Sequence, residues 1–108
     1  MKQKINFSQF TEIEHQLEIK IGNITDITRI NKKMLKLIVD FGNNDIRSVV
    51  TNIGNKIENL DTLKKCFPFV TNLESATISG HLSEAMIIIG TNNGEFDLTF
   101  NKTGTILL

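Results

Sequence analysis

Tryptophan and tyrosine are absent from this 108-residue chain, and cysteine and proline occur once each, as Cys66 and Pro68. Without Trp or Tyr, flat surfaces for stacking bases come only from seven Phe, most of them at the spacings of a core. One cysteine closes no internal disulfide, and no Cys-His spacing supports redox or nucleophilic chemistry. Cys66, between Lys65 and Phe67-Pro68-Phe69, therefore reads as a small core hydrophobe. Charge of either sign is not in excess: 12 basic residues face 12 acidic ones, which excludes a protein that grips phosphate over its whole surface. No apolar run approaches the ~20 residues that span a bilayer. Met1-Lys2-Gln3-Lys4 leads into no signal-peptide core, so a soluble, cytoplasmic chain without membrane insertion is expected. His15 and His81 lie apart from any Cys or carboxylate at metal-ligand spacing, and there is no glycine-rich loop before a helix and no nucleophile elbow. The expectation is no catalysis, no metal and no cofactor. With 40% apolar residues the chain can bury one core, which predicts a single domain over 1–108.

The charge that is present is unevenly placed. Residues 27–65 carry Arg29, Lys32, Lys33, Lys36, Arg47, Lys56, Lys64 and Lys65 against only Asp40, Asp45, Glu58 and Asp61. Any polyanion should meet this middle segment, although charge alone favours reading the run from Arg29 to Lys36 as a solvated loop and outer strand face.

Periodicity predicts strands. Leu35, Leu37, Val39 and Phe41 alternate with Lys36, Ile38 and Asp40, the period of a strand with one buried face. After the turn Gly42-Asn43-Asn44-Asp45, the β-branched stretch Ile46 to Ile53 should pair back as a hairpin. Upstream, Leu17, Ile19 and Ile21 alternate with Glu18 and Lys20, and Gly22 predicts a bulge in that strand. Ile57, Leu60 and Leu63 recur every third residue, as on a short amphipathic helix. Phe67 to Leu73 predicts the next strand, with Pro68 near its start or on an edge. Met86 to Ile89 and Phe96 to Phe100 flank Asn92-Asn93-Gly94, a strong hairpin signal. A terminal β segment is expected at Thr105 to Leu108, and a short N-terminal helix from Phe7, with Ser8 as its candidate cap. This order predicts an all-β fold: a five-stranded OB-fold Greek-key barrel with a short helix between strands 3 and 4 and terminal extensions.

Four separated motifs resemble one family. Asn72-Leu73 is followed by Gly80 and then by Ser83-Glu84-Ala85-Met86 opening an apolar strand; Glu18-Ile19-Lys20-Ile21-Gly22-Asn23-Ile24, Lys33-Met34 with Val39-Asp40-Phe41-Gly42, and Arg47-Ser48-Val49-Val50-Thr51 complete the pattern. The chain is identified on these residues as a member of the tRNA-binding OB modules, which include stand-alone tRNA-binding proteins, a C-terminal module of some methionyl-tRNA synthetases and the CsaA export chaperone. The resemblance runs from about Ile5 to Gly104.

That resemblance implies a binding module whose candidate RNA-binding residues are Lys20, Lys33, Lys36, Arg47, Asn72, Ser83, Glu84 and Met86. Lys33, Lys36 and Arg47 would hold the phosphate backbone, Asn72, Ser83 and Glu84 would bond bases or ribose, and Met86 would lie against a base. On their residue types alone, Asn72 and Ser83 read as turn chemistry at strand ends and Met86 as core filling. Two functions follow. One is tRNA binding, alone or in trans for an aminoacyl-tRNA synthetase; the other is a CsaA-like chaperone for unfolded precursor proteins, favoured by neutral charge and by Glu74-Ser75-Ala76 where the family usually carries basic residues. Either way the resemblance implies a homodimer joined through terminal segments, and Ile106-Leu107-Leu108 would leave apolar edge surface to cover.

Overall fold

Asn6 opens the first element. Its side chain accepts from the Gln9 N–H at 2.9 Å while the Gln9 side chain accepts from the Asn6 N–H at 3.1 Å, a reciprocal cap that starts helix α1 (Phe7–Gln16). Ser8, the expected cap, therefore lies inside the helix. The structure is a computed structural model and describes residues 2–107.

Strand β1 (Ile19–Arg29) is followed by β2 (Leu35–Asp40), β3 (Ile46–Thr51), two 3₁₀ turns (Gly54–Lys56 and Leu60–Leu63) and β4 (Cys66–Val70). Then come β5 (Ala76–Ile78), β6 (His81–Ser83), β7 (Met86–Ile87), β8 (Gly90–Asn92), β9 (Glu95–Asp97) and β10 (Ile106–Leu107). Five strands form one sheet in the order β3-β2-β1-β4-β7, and β10-β8-β9 and β5-β6 form two small ones. The all-β, OB-like architecture expected from the sequence is the one observed. β1 makes the sheet curl, because it pairs with β2 from Asn23 onward and with β4 up to Asn23.

The core is built from alternate residues. Leu35, Leu37 and Val39 of β2, Val49 of β3 and Phe67 and Phe69 of β4 are fully buried, together with Ile24 and Leu63. In β1 the phase differs from expectation: Gly22 and Ile24 face inward, so Ile19 and Ile21 stand on the outer face and are exposed. The bulge lies between Ile24 and Asp26 rather than at Gly22. One extra residue there reverses the side-chain parity and returns Ile27 to the core. Gly22 has a different cause: a Cβ on it would stand 2.4 Å from Val39 Cγ1 and 2.6 Å from Phe41 Cε1, so β2 can fold this closely over β1 only at a glycine.

The expected amphipathic helix is two 3₁₀ turns. Ile57 and Leu63 are buried and Leu60 packs against the core, and a repeat of three is the 3₁₀ period itself. Cys66 is exposed, contrary to expectation, because it opens β4 on the face opposite Phe67 and Phe69. Phe67 to Leu73 shortens to β4, with Pro68 near its start. Met86 to Ile89 divides between β7 and the approach to β8. The Asn93-Gly94 hairpin joins β8 to β9, with positive φ at both residues. Phe96 to Phe100 is strand only at its start, where Phe96 and Asp97 belong to β9; the Asp97 carboxylate accepts from the Thr105 hydroxyl at 2.6 Å, the Lys102 N–H at 3.0 Å and the Thr99 hydroxyl at 3.2 Å and thereby bends the chain. The terminal segment is observed at Ile106–Leu107; Leu108 lies outside the described residues.

Candidate functional site

Loop 30–34 is held rigidly at one end of the β1–β2 hairpin. The Asn31 side chain accepts from the N–H groups of Lys33 and Met34, at 3.0 and 2.9 Å. The Arg29 guanidinium donates to the Lys32 carbonyl at 3.0 Å and the Gly54 carbonyl at 3.1 Å. Arg29 is thus a buttress, and the loop presents exposed Lys32 and Lys33 with Met34 behind them.

Met34 forms one wall of a groove of about 620 Å³ whose other lining includes Val50, Ile53, Ile78, Met86 and Ile89. The groove runs between loop 30–34 and the β5–β6 hairpin, where OB folds take their ligands. Lys36 lies directly across the ladder from Val50 and shares its outer face. Apolar, partly flexible side chains therefore make the floor, and lysines stand beside it. Met34 belongs to the resemblance but carried no role in the sequence reading; Ile78 went unread because the Ser79-Gly80 turn that creates β5–β6 was not recognised as a hairpin signal.

Ser83 and Glu84 stand behind this groove and close it. The buried Ser83 hydroxyl accepts from the Val50 N–H at 3.0 Å and donates to the Ala85 carbonyl at 3.3 Å. The Glu84 carboxylate accepts from the Ser48 N–H at 3.2 Å, and the Glu84 N–H donates to the Ser48 carbonyl at 2.9 Å. Two side chains thus satisfy the edge of β3 that no strand among the described residues pairs with.

Arg47 lies across from Val39 and so points to the inner face. It forms a bidentate pair with Asp45, at 2.9 and 3.1 Å, donates to the Thr71 carbonyl at 2.7 Å and lies over the Phe41 ring at 5.3 Å. The Asp45 hydrogen bond raises the Arg47 pKa, and Arg47 in turn holds Asp45 below the ordinary carboxylate value. Asn72 uses both ends of its amide internally: Oδ1 accepts from the Glu18 N–H at 2.9 Å and Nδ2 donates to the Gln16 carbonyl. Lys20 faces Glu18 at 3.7 Å on the surface. Glu18 is held below its ordinary value first by the Thr71 hydroxyl and then by Lys20. Of the eight sequence-derived candidates, the fold places only Met86 in the groove lining; Lys36 sits on β2 opposite the groove residue Val50, Lys33 is on the loop next to Met34, Ser83 and Glu84 hold the β3 edge behind Val50, and Arg47, Asn72 and Lys20 lie apart.

The family profile described as "Putative tRNA binding domain" matches residues 19–103. The chain belongs to this family. Among its relatives, methionine–tRNA ligase of Helicobacter pylori strain J99 is 34% identical over 85 residues, 77% of this chain and 13% of the ligase. Methionine–tRNA ligase of Methanococcoides burtonii is 33% identical over 91 residues, 82% of this chain and 13% of that enzyme. The chain thus matches a small part of these ligases. Among solved structures, the MetRS related protein from Pyrococcus horikoshii superposes with a TM-score of 0.72 at 31% identity, covering 99% of this chain and 90% of that one. The chaperone CsaA from Bacillus anthracis gives 0.68 at 19% identity, covering 98% of this chain and 99% of that one, a likeness of fold alone. The tRNA-binding family match contains the groove residues from Met34 to Ile89, whereas Lys2, which also lines the groove, and α1 lie before it.

Proposed function

We propose that this chain is a non-catalytic tRNA-binding module, a single domain that works in the cytoplasm as a homodimer, alone or in trans for an aminoacyl-tRNA synthetase. The observation that carries the reading is the family match over residues 19–103, which takes in all of an OB-type groove but Lys2, with Lys33 and Lys36 on the adjoining loop and strand. In this reading Lys33 and Lys36 neutralise phosphates, and Met34 and Met86 lie against exposed base faces. Arg47, Asn72, Ser83 and Glu84 act indirectly, by keeping the β3 edge and the barrel end in shape. Few cations flank the groove, so affinity is modest and recognition rests on tRNA shape rather than on base-edge bonds.

Support for the dimer comes from apolar surface left exposed among the described residues. Helix α1 buries no residue, and its Phe7, Phe10, Ile13 and the following Leu17 are all exposed. Ile19, Ile21, Ile106 and Leu107 add to that surface, which a second copy would cover.

One observation favours a second reading, a chaperone for unfolded precursor proteins: apart from Lys2, Thr51 and Asn52 the groove lining is apolar, which suits an extended peptide as well as a base. Electrophoretic shift of tRNA across a salt series, beside binding of an unfolded precursor, separates the two. tRNA binding that Lys33→Ala weakens supports the first reading; precursor binding without tRNA binding overturns it.

A further inference from the structure

Helix α1 is an amphipathic helix with its apolar stripe in solvent, and it makes no buried contact with the barrel. A ten-residue helix is marginal on its own. What fixes it is the junction that follows it. The Gln16 carbonyl accepts from Asn72 Nδ2, the Glu18 N–H donates to Asn72 Oδ1 at 2.9 Å, the Glu18 carbonyl accepts from the Thr71 N–H at 2.9 Å, and the Glu18 carboxylate accepts from the Thr71 hydroxyl at 2.6 Å. Immediately beyond, Ile19 enters the β1–β4 ladder opposite Val70. Two residues past the end of β4 thus grip the last residue of the helix, Gln16, and Glu18, which precedes the strand.

We infer that Asn72 is the positioning residue for α1: its amide fixes the direction in which the helix leaves the barrel, and with it the aim of the stripe Phe7, Phe10, Ile13 and Leu17 toward a second copy of the chain. The consequence for association rests on the homodimer reading above. An amide is suited to the task because it accepts from one backbone group and donates to another across a single residue, Leu17, whose own N–H is already bound to the Ile13 carbonyl at 3.1 Å. Serine would reach neither partner pair, and aspartate keeps the acceptor while setting a carboxylate against the Gln16 carbonyl. Thr71 supports the grip from the strand side. Its carbonyl in turn accepts from Arg47 at 2.7 Å, so the junction is tied to β3 as well as to β4.

The test combines residue-resolved amide hydrogen exchange with equilibrium sedimentation on the full chain, for wild type, Asn72→Ala and Asn72→Asp. In Asn72→Ala, exchange at the Glu18 amide and through α1 should quicken roughly tenfold while the Leu37 and Val49 amides of the β2–β3 ladder keep wild-type rates, the pattern of a local opening rather than of global destabilisation. The dimer dissociation constant should rise by about tenfold or more. Asn72→Asp should restore protection at Glu18 but not the full dimer affinity, a split that a general loss of stability would not produce. A dimeric Asn72→Ala protein with wild-type affinity, unchanged Glu18 exchange, or equal acceleration across the β2–β3 ladder would each overturn the inference. A monomeric wild-type protein would instead overturn the homodimer reading and the association part of this one, while faster Glu18 exchange in Asn72→Ala would still establish the grip on α1.

Discussion

The Glu84 carboxylate accepts from the Ser48 N–H at 3.2 Å and the Glu84 N–H donates to the Ser48 carbonyl at 2.9 Å, while the Ser48 hydroxyl donates to the Leu82 carbonyl at 2.8 Å. One residue of the β6–β7 connection therefore does for β3 what a neighbouring strand would do. Replacing Glu84 by alanine should lower stability by about 1–3 kcal/mol, and Ser83→Ala by a similar amount, because each leaves a β3 N–H without its acceptor. Urea unfolding of the two single variants checks this. Because both side chains close the same edge, the double variant should cost measurably less or more than the sum of the singles.

Arg47 gives the sharpest contrast with a phosphate contact. Its guanidinium is held by Asp45, the Thr71 carbonyl and the Phe41 ring, so Arg47→Ala should cost about 2–4 kcal/mol of stability while leaving the salt dependence of tRNA binding unchanged. Arg47→Lys should recover little, since a single ammonium cannot reproduce the bidentate pair. Thermal unfolding and a salt series on the same protein decide it; a reduced salt slope with unchanged stability would assign Arg47 to the RNA instead.

Gly22→Ala should destabilise by about 1–3 kcal/mol through crowding rather than backbone strain. The added Cβ would meet Val39 Cγ1 at 2.4 Å. Val39→Ala in the same chain should therefore cost less than it does alone. Urea midpoints for the four proteins of this cycle measure the coupling, and strict additivity would place the clash elsewhere.

Acid should act through Asp97. Hydrogen bonds from the Thr105 hydroxyl, the Lys102 N–H and the Thr99 hydroxyl hold its pKa well below the ordinary 3.8. A carboxylate whose folded-state value is depressed stabilises the fold at every pH above the unfolded value, and that stabilisation is lost as pH falls below about 3.9. Asp97→Asn should flatten the fall of the urea midpoint between neutral pH and acid; an unchanged profile would put the acid sensitivity on other groups.

How much of this was legible in the sequence follows from the range over which each signal acts. The alternation of Leu35, Leu37 and Val39 and the Asn93-Gly94 turn are local, and both elements appear where the pattern put them; the three-residue spacing of Ile57, Leu60 and Leu63 marks their inward face, although the backbone there makes two 3₁₀ turns instead of the expected helix. Even the exposure of Cys66 was available, since inward Phe67 and Phe69 leave alternate neighbours facing out. The outward face of Ile19 and Ile21 was not, because apolar alternation marks a strand's two faces without saying which one the core takes. Partners far along the chain were beyond reach too: nothing near Arg47 announces the Thr71 carbonyl, and nothing near Asn72 announces Gln16 and Glu18. The family resemblance made both candidates for RNA contact, and tertiary geometry gives their polar atoms internal partners.

The most direct measurement is the salt dependence of tRNA affinity for the wild-type chain and for Lys33→Ala/Lys36→Ala. Each phosphate contact contributes close to one unit to the slope of log affinity against log salt, so the double variant should bind more weakly with a slope smaller by about 1.5–2 units. An identical slope in the two proteins, or no tRNA binding by the wild type at low salt, would contradict the assignment of the groove between loop 30–34 and the β5–β6 hairpin as the tRNA site.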